Sequence, residues 1–162
     1  MSRGQHIAIA GAGPVGAVAA LALQQRGFAV TIVDRIKPAP GPHGLGMDIR
    51  NVALSQGSRE LVESVIAWPQ QAGMFKAIRV WEQWGVKALN FDAEELGSNC
   101  LGWICEVAPL LQALWQQLEA NPGIRIVLGD IQLVESNPTG VAITVADESL
   151  SADFLVAADG AR

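Results

Sequence analysis

The feature that most constrains this chain is a group of three glycines between two apolar segments near the N-terminus. His6 to Ala10 is a short apolar run, and the sequence Gly11-Ala12-Gly13-Pro14-Val15-Gly16 follows it directly. An Ala- and Leu-rich stretch from Pro14 to Arg26 comes next, then Gly27 and the β-branched stretch Phe28 to Asp34. Because glycine favours the turn after the first run and the end of a helix, this order predicts a strand, a helix ending at Gly27 and a second strand, which together form a βαβ unit.

Each glycine has a physical role in a dinucleotide-binding turn. Gly11 allows the tight turn out of the strand, Gly13 lets a pyrophosphate approach the backbone, and Gly16 allows the helix to pack closely on the sheet. The N–H groups and the dipole of the first helical turn attract phosphates, and Asp34 is placed to accept hydrogen bonds from ribose hydroxyls. The alternative is a glycine-rich turn that binds nothing. The predicted cofactor-binding residues of this unit are Gly11, Ala12, Gly13, Pro14, Val15, Gly16, Asp34 and Arg35.

The rest of the chain departs from the repeated βα units of a classical NAD domain. The Pro- and Gly-rich stretch Lys37–Gly46 is predicted to be a loop, and helices are predicted over Gln56–Ala67 and Pro109–Ala120. The further predicted strands are Ala77–Trp84, Lys87–Phe91, Leu101–Cys105, Ile124–Leu128, Ile131–Glu135, Val141–Ala146 and Phe154–Ala158. This layout predicts an α/β fold that resembles a Rossmann-like, glutathione-reductase-like FAD-binding domain, with a parallel sheet, a β excursion and a small extra sheet.

Composition and charge narrow the function classes. Half of the 162 residues are hydrophobic and 17% are charged, which is typical of one globular domain. The net charge of -5, without a run of Lys or Arg, argues against a nucleic-acid partner. Cys100, Cys105, His6 and His43 show no metal-ligand spacing, so no metal site is predicted. Glycines interrupt the apolar stretch Ile7 to Leu23, which argues against a signal peptide or membrane span and leaves a cytoplasmic location as the expectation.

Three further segments carry a family resemblance. They are Arg50-Asn51-Val52-Ala53-Leu54-Ser55, Gly102-Trp103-Ile104-Cys105-Glu106, and Phe154-Leu155-Val156-Ala157-Ala158-Asp159-Gly160-Ala161-Arg162. They resemble the arginine-bearing segment, the pre-helix segment and the Asp-Gly motif of the class A flavin-dependent aromatic hydroxylases of ubiquinone biosynthesis. The resemblance implies that Arg50, Glu106, Asp159 and Gly160 contact FAD. Without it, Arg50 is a solvated arginine, Glu106 a helix-start carboxylate, and Asp159 the cap of a turn in which Gly160 has positive φ.

The resemblance covers essentially the whole chain and implies an activity for the intact enzyme. That activity is monooxygenation of a small aromatic or quinone-precursor substrate, with FAD as cofactor and NAD(P)H as electron donor. Residues 1–162 are expected to be a single FAD-binding domain that lacks the family's substrate domain and later Gly-Asp motif. Lipophilic precursors suggest peripheral membrane contact, and an exposed apolar surface near Trp81 and Trp84 suggests self-association. The alternatives are another FAD oxidoreductase of the prenyl-reductase or halogenase type, an inactive nucleotide-binding module, and an NAD-dependent dehydrogenase.

Overall fold

The computed structural model describes residues 4–39, 48–83, 85 and 87–160. Its helices are α1 (Pro14–Gln25), α2 (Gln56–Glu63) and α3 (Val107–Ala120). Its strands are β1 (His6–Ala10), β2 (Ala29–Asp34), β3 (Asn51–Leu54), β4 (Gly73–Phe75), β5 (Ala77–Trp81), β6 (Ala88–Asp92), β7 (Gly102–Glu106), β8 (Ile124–Leu128), β9 (Ile131–Asn137), β10 (Gly140–Val145), β11 (Glu148–Ala152) and β12 (Phe154–Ala157).

A parallel sheet with the strand order β12-β1-β2-β8 forms the centre of the fold. Strand β1 pairs with β2 on one side and with β12 on the other, and both pairs are parallel. Parallel neighbours require the connecting segment to cross a face of the sheet. The glycine turn follows β1, Asp34 is the last residue of β2, and the Asp159-Gly160 segment comes shortly after β12. Because the carboxyl ends of parallel strands meet at one edge, this topology collects the glycine turn, Asp34 and the Asp159-Gly160 segment there.

Side chains alternate across the central sheet and build two separate cores. Ile7, Ile9 and Ile32 pack on one face against α1 and α3, whereas Ala8 and Val33 face the antiparallel strands on the other side. This alternation follows directly from the period of two in an extended chain. The sheet is therefore covered on both faces, as expected for strands that are apolar along their whole length.

The antiparallel β excursion lies between the main-sheet strands β8 and β12 and has the order β11-β10-β9. Residues Ala146 and Asp147 both have positive φ at the turn between β10 and β11, which matches the twist of a two-residue hairpin. The ring of His6 joins this excursion to the main sheet. Its Nδ1 lies 2.8 Å from the carbonyl oxygen of Ser151, and its Nε2 lies 2.8 Å from Oγ1 of Thr31.

Two smaller antiparallel sheets replace the single extra sheet predicted from sequence. One has the order β3-β7-β4 and the other is the β5–β6 hairpin. The prediction missed β3, β4 and β11, which have three to five residues each and weak strand patterns. The predicted strand Ala77–Trp84 ends at Trp81 in the structure, and residue 84 lies outside the described part, as do residues 40–46 of the predicted loop Lys37–Gly46.

Two predicted helix boundaries were wrong for identifiable reasons. Helix α2 ends at Glu63 rather than Ala67, because the hydroxyl of Ser64 donates to the carbonyl oxygen of Leu61 and competes with the helical pattern. Helix α3 begins at Val107, two residues before the predicted Pro109, because acceptors from another segment satisfy its first N–H groups. In the described part of the chain, no helix is both long enough and apolar enough to cross a membrane.

Candidate cofactor-binding site

Two glycines of the turn after β1 are required by the fold itself, because neither position has room for a Cβ. Gly11 has φ +100°, and a Cβ there would lie less than 3.0 Å from the carbonyl oxygen of Ala158. A Cβ on Gly16 would lie less than 3.0 Å from the carbonyl oxygen of Gly11. Gly13 differs, since a Cβ on it would meet no protein atom within 4 Å. Gly11 and Gly16 therefore serve the packing of the turn, whereas Gly13 leaves its outer side open to a ligand.

Polar contacts from two directions hold the peptide groups on either side of Ala12. The amide of Ala12 donates to Oδ2 of Asp34 at 2.6 Å, and its carbonyl accepts from Nε1 of the buried Trp115 at 3.0 Å. The other carboxylate oxygen of Asp34 accepts from the backbone N–H of Arg35 at 2.7 Å. Asp34 thus orients the glycine turn, and each of its oxygens keeps a lone pair for a further donor.

A cleft of about 350 Å³ opens over this turn. It brings together the glycine turn, the acid at the end of β2, the arginine before β3 and the start of α3. Its described lining consists of Ala12, Gly13, Asp34, Ile36, Pro38, Ala39, Arg50, Ala108, Leu111 and Trp115. Four predicted site residues, Ala12, Gly13, Asp34 and Arg50, therefore share one cleft. The other predicted residues, Gly11, Pro14, Val15, Gly16, Arg35, Glu106, Asp159 and Gly160, lie outside that described lining.

The Asp159-Gly160 segment lies against the other side of the glycine turn. The amide of Ala158 donates to the carbonyl oxygen of Ala10 at 2.7 Å, which continues the β1–β12 pairing past the strand ends. A Cβ on Gly11 would lie 2.8 Å from the Cα of Asp159, so the two backbones are in close contact. Gly160 has φ +79°, as expected for a turn residue, and the side chain of Asp159 is exposed. The segment therefore supports the glycine turn through its backbone.

Sequence reasoning missed Asp48, a fully buried carboxylate beside the cleft. Its Oδ1 accepts from the backbone N–H and the Nε of Arg50 at 3.0 and 3.3 Å. Its Oδ2 accepts from Nη2 of Arg50 at 3.3 Å and from the backbone N–H of Ala108 at 3.0 Å. Its own N–H donates to the carboxylate of Glu106 at 2.9 Å. The only sequence signal is an acid two residues before an arginine, which by itself indicates no site.

These contacts predict a specific response of Asp48 to acid. The backbone N–H of Arg50 holds the pKa of this carboxyl below its ordinary value, against the opposing effect of burial, and the guanidinium of Arg50 and the N–H of Ala108 add to the lowering. A lowered pKa in the folded state stabilises the fold above the unfolded value, and this stabilisation is lost as the pH falls through the folded pKa. Between about pH 5 and about pH 3, we expect the free energy of unfolding of the unmodified chain to fall as Asp48 becomes protonated. The Asp48→Asn variant has no such carboxyl, so its free energy of unfolding is expected to fall less over the same range. Urea unfolding at several pH values measures this, and parallel curves for the two chains would contradict it.

A second cleft, of about 470 Å³, lies between α2 and the β3-β7-β4 sheet. The guanidinium carbon of Arg59 lies 4.4 Å from the ring centroid of Trp103 and 4.9 Å from that of Trp68. The same guanidinium pairs with Glu63 at 2.8 Å, so its charge is already neutralised. Trp68 and Trp103 thus pack against each other and against Arg59.

The first cleft fits the adenosine and pyrophosphate part of a dinucleotide. The N-terminus of α1 has Gly13 at its N-cap and, within the described residues, no side chain that caps it, so its N–H groups are available to a phosphate. Arg50, whose side chain is 62% exposed, supplies positive charge at the same cleft. Asp34 supplies an acceptor at the end of β2. An open backbone, a helix N-terminus, a cation and an acceptor are the groups that such a ligand requires.

Comparison with known proteins agrees with this geometry. The family model described as an FAD binding domain matches residues 5–162. The 3-demethoxyubiquinol 3-hydroxylase of Escherichia coli (strain K12) is 35% identical over 163 aligned positions, which cover 97% of this chain and 41% of that protein. The chain therefore spans about two fifths of the length of this relative. These matches confirm the predicted family resemblance.

Solved structures confirm the predicted fold. The p-nitrophenol 4-monooxygenase from Pseudomonas putida DLL-E4 has a TM-score of 0.71 at 18% identity, over 100% of this chain and 42% of that one. The structure of CtdE in complex with FAD has a TM-score of 0.62 at 18% identity, over 98% of this chain and 39% of that one. At such identities the likeness shows a shared fold, in which the parallel sheet and the β excursion have the predicted arrangement.

Proposed function

Because this chain belongs to the FAD binding domain family, we propose that it is the FAD-binding part of an NAD(P)H- and O₂-dependent aromatic-ring monooxygenase that acts on a ubiquinone precursor. The observation that carries the proposal is the cleft in which Gly13, Asp34 and Arg50 converge. The identity of 35% with a hydroxylase of demethoxyubiquinol supports the substrate class.

Three groups of this chain would hold the cofactor. The open side of Gly13 and the N-terminus of α1 would take the pyrophosphate, and Arg50 would neutralise part of its charge. Asp34 would accept hydrogen bonds from the ribose hydroxyls with its remaining lone pairs. Bound FAD supplies the redox chemistry, and the chain's own residues bind it and fix its position.

The other predicted residues would act by shaping this cleft. Gly11 and Gly16 keep the turn tight, and Pro14 fits the first helical turn because that position needs no donor. The N–H of Val15, rather than its side chain, would face the phosphates. The N–H of Ala12 is held by Asp34, so Ala12 would support the turn and not the phosphates directly. Glu106 and the Asp159-Gly160 segment would hold neighbouring backbone in place.

A titration of the purified chain with FAD tests the proposal. Flavin fluorescence and the visible absorption spectrum report binding, and NAD⁺ serves as the comparison ligand. We expect FAD to bind with a dissociation constant of about 1 μM or tighter, and more tightly than NAD⁺. A folded chain that prefers NAD⁺, or that ignores excess FAD, would contradict the proposal. In the intact protein, demethoxyubiquinol is expected to stimulate consumption of NAD(P)H and O₂, and an enzyme insensitive to it would contradict the substrate class.

We also propose that the β5–β6 hairpin is a contact surface. Five of its apolar side chains are more than 40% exposed: Ile78, Val80, Trp81, Leu89 and Phe91. Ile78, Val80, Leu89 and Phe91 share one face of the hairpin, because Ile78 pairs with Phe91 and Val80 with Leu89, whereas Trp81 lies on the other face. An exposed apolar face of this kind favours association, either between copies of this chain or with a membrane that holds lipophilic precursors. We expect sedimentation velocity to show self-association of the unmodified chain, and the double variant Val80→Lys/Leu89→Lys, which places two charges on that face, to sediment as a monomer. Leu61→Lys, on α2, is the matched control, and dissociation caused equally by this control would contradict the role of the hairpin.

A further inference from the structure

The side chain of Asp48 accepts an unusually large number of hydrogen bonds. Its carboxylate accepts four, three of them from Arg50, and its side chain has no exposed surface. A carboxylate removed from water in this way is costly unless donors satisfy it, so the arrangement requires all of its partners. Neither the glycine turn nor the proposed adenosine contacts explain why an acid is buried at this position.

The ion pair with Asp48 uses only one of the two hydrogen-bonding edges of the Arg50 guanidinium. Its Nε and Nη2 both donate to Asp48, which occupies one edge of the planar group. The opposite edge, formed by Nη1 and the second hydrogen of Nη2, is then directed away from Asp48, and Arg50 lines the cleft. A guanidinium can bind two oxyanions at once because its donors form a rigid fork, whereas the single nitrogen of lysine cannot be oriented in this way.

The same acid fastens this arginine to helix α3. The N–H groups of the first two residues of α3 are satisfied by the carbonyl oxygen of Arg50 and by the carboxylate of Asp48, and Glu106 at the N-cap accepts from the N–H of Asp48. Segment 48–50 and the start of α3 are therefore joined at three points. Both lie at the cleft, since Ala108 and Leu111 line it together with Arg50.

We propose that Asp48 is a positioning residue that fixes the guanidinium of Arg50 with one edge held and the other presented to the pyrophosphate of the bound dinucleotide. This inference rests on the proposed function, because it assumes that the cleft takes a pyrophosphate. Asp48 itself touches no ligand and acts only through Arg50 and the start of α3. An arginine held in advance loses less side-chain entropy when it binds an anion than one that moves freely.

A double-mutant cycle on the chain of residues 1–162 tests the inference. The variants are Asp48→Asn, Arg50→Ala and the double variant, and the probes are ADP, adenosine and FAD. We expect Asp48→Asn to weaken ADP and FAD binding about tenfold while adenosine binding changes less than about twofold, since only the phosphates meet Arg50. In the Arg50→Ala background the same change is expected to have no further effect on ADP binding. Equal losses in both backgrounds, or an equal loss for adenosine, would overturn the inference.

Arg50→Lys keeps the test decisive if Asp48→Asn fails to fold. Lysine keeps the charge but not the two edges, so its ADP affinity is expected to match that of Arg50→Ala rather than that of the unmodified chain. An ADP affinity for Arg50→Lys equal to that of the unmodified chain would show that charge alone suffices and would overturn the inference. Glu148→Gln, which removes the partner of Arg125 on an exposed surface, is the control and is expected to leave ADP binding unchanged. An unmodified, folded chain that binds neither FAD nor ADP would overturn the proposed function and this inference together.

Discussion

Alanine in place of Gly16 is expected to lower the free energy of unfolding by about 3 kcal/mol. Its Cβ would lie less than 3.0 Å from the carbonyl oxygen of Gly11 and 3.3 Å from the Cβ of Ala158. Neither neighbour can move easily, since Gly11 is held by a 2.7 Å hydrogen bond from its N–H to Val33 and Ala158 by one to Ala10. The helix would have to shift away from the sheet. Urea unfolding followed by far-UV circular dichroism measures the change.

Gly13→Ala is the matched control for this prediction. Gly13 has φ -65° and ψ -179°, which any residue adopts, and a Cβ there meets nothing within 4 Å. We therefore expect its free energy of unfolding to lie within about 0.5 kcal/mol of the unmodified value. An equal loss of unfolding free energy in Gly13→Ala and Gly16→Ala would show that the close contact at Gly16 is not the cause of the destabilisation.

Valine in place of Gly13 is expected to leave the fold intact and to weaken FAD binding by about 10- to 100-fold. The space beside Gly13 is empty of protein atoms, so the fold tolerates the side chain. The same space lies on the cleft, next to Ala12 and Asp34, where a pyrophosphate would approach the backbone. Fluorescence titration with FAD, together with urea unfolding of the same sample, separates the two effects.

Val15→Ala provides the control for the binding measurement. Val15 lies in the same helical turn, its side chain is 75% exposed, and alanine keeps its backbone N–H. We expect its FAD affinity to stay within about twofold of the unmodified chain, because phosphates are bound at helix N-termini by the backbone. A Gly13→Val chain that binds FAD normally would place the pyrophosphate elsewhere.

The parts of the fold that were predicted correctly are those whose signals are local. The glycines of the first turn, the apolar runs of β1 and β2, and Asp34 at the end of β2 all depend on neighbours within one βαβ unit. Their position at one edge of the sheet became visible only with the strand order β12-β1-β2-β8, which the sequence did not predict. The helix stop at Gly27 also agrees with the prediction, whereas the positive φ of Gly160 was expected only under the alternative in which Asp159 caps a turn.

The parts that could not be predicted depend on contacts between distant segments. The position of Asp48 beside the cleft depends on its hydrogen bonds with Glu106 and Ala108, which lie 58 and 60 residues further along the chain. Strands β3 and β4 both pair with β7 and have no strong alternation of their own, so only this pairing makes them strands. Arg50 was assigned to the cofactor by resemblance, and its ion pair with Asp48 became visible only when the folded neighbours were known.

The most direct test of the FAD-binding cleft is an NMR titration of the ¹⁵N-labelled chain with FAD and with ADP. We expect both ligands to shift the backbone amide signals of Ala12 and Gly13 and the side-chain Nε signal of Arg50, because these groups meet at one cleft. Signals around Arg59 and Trp103, which line the second cleft, are expected to stay in place. Binding of FAD that shifts the second group and leaves the glycine turn unchanged would contradict the assignment of the site.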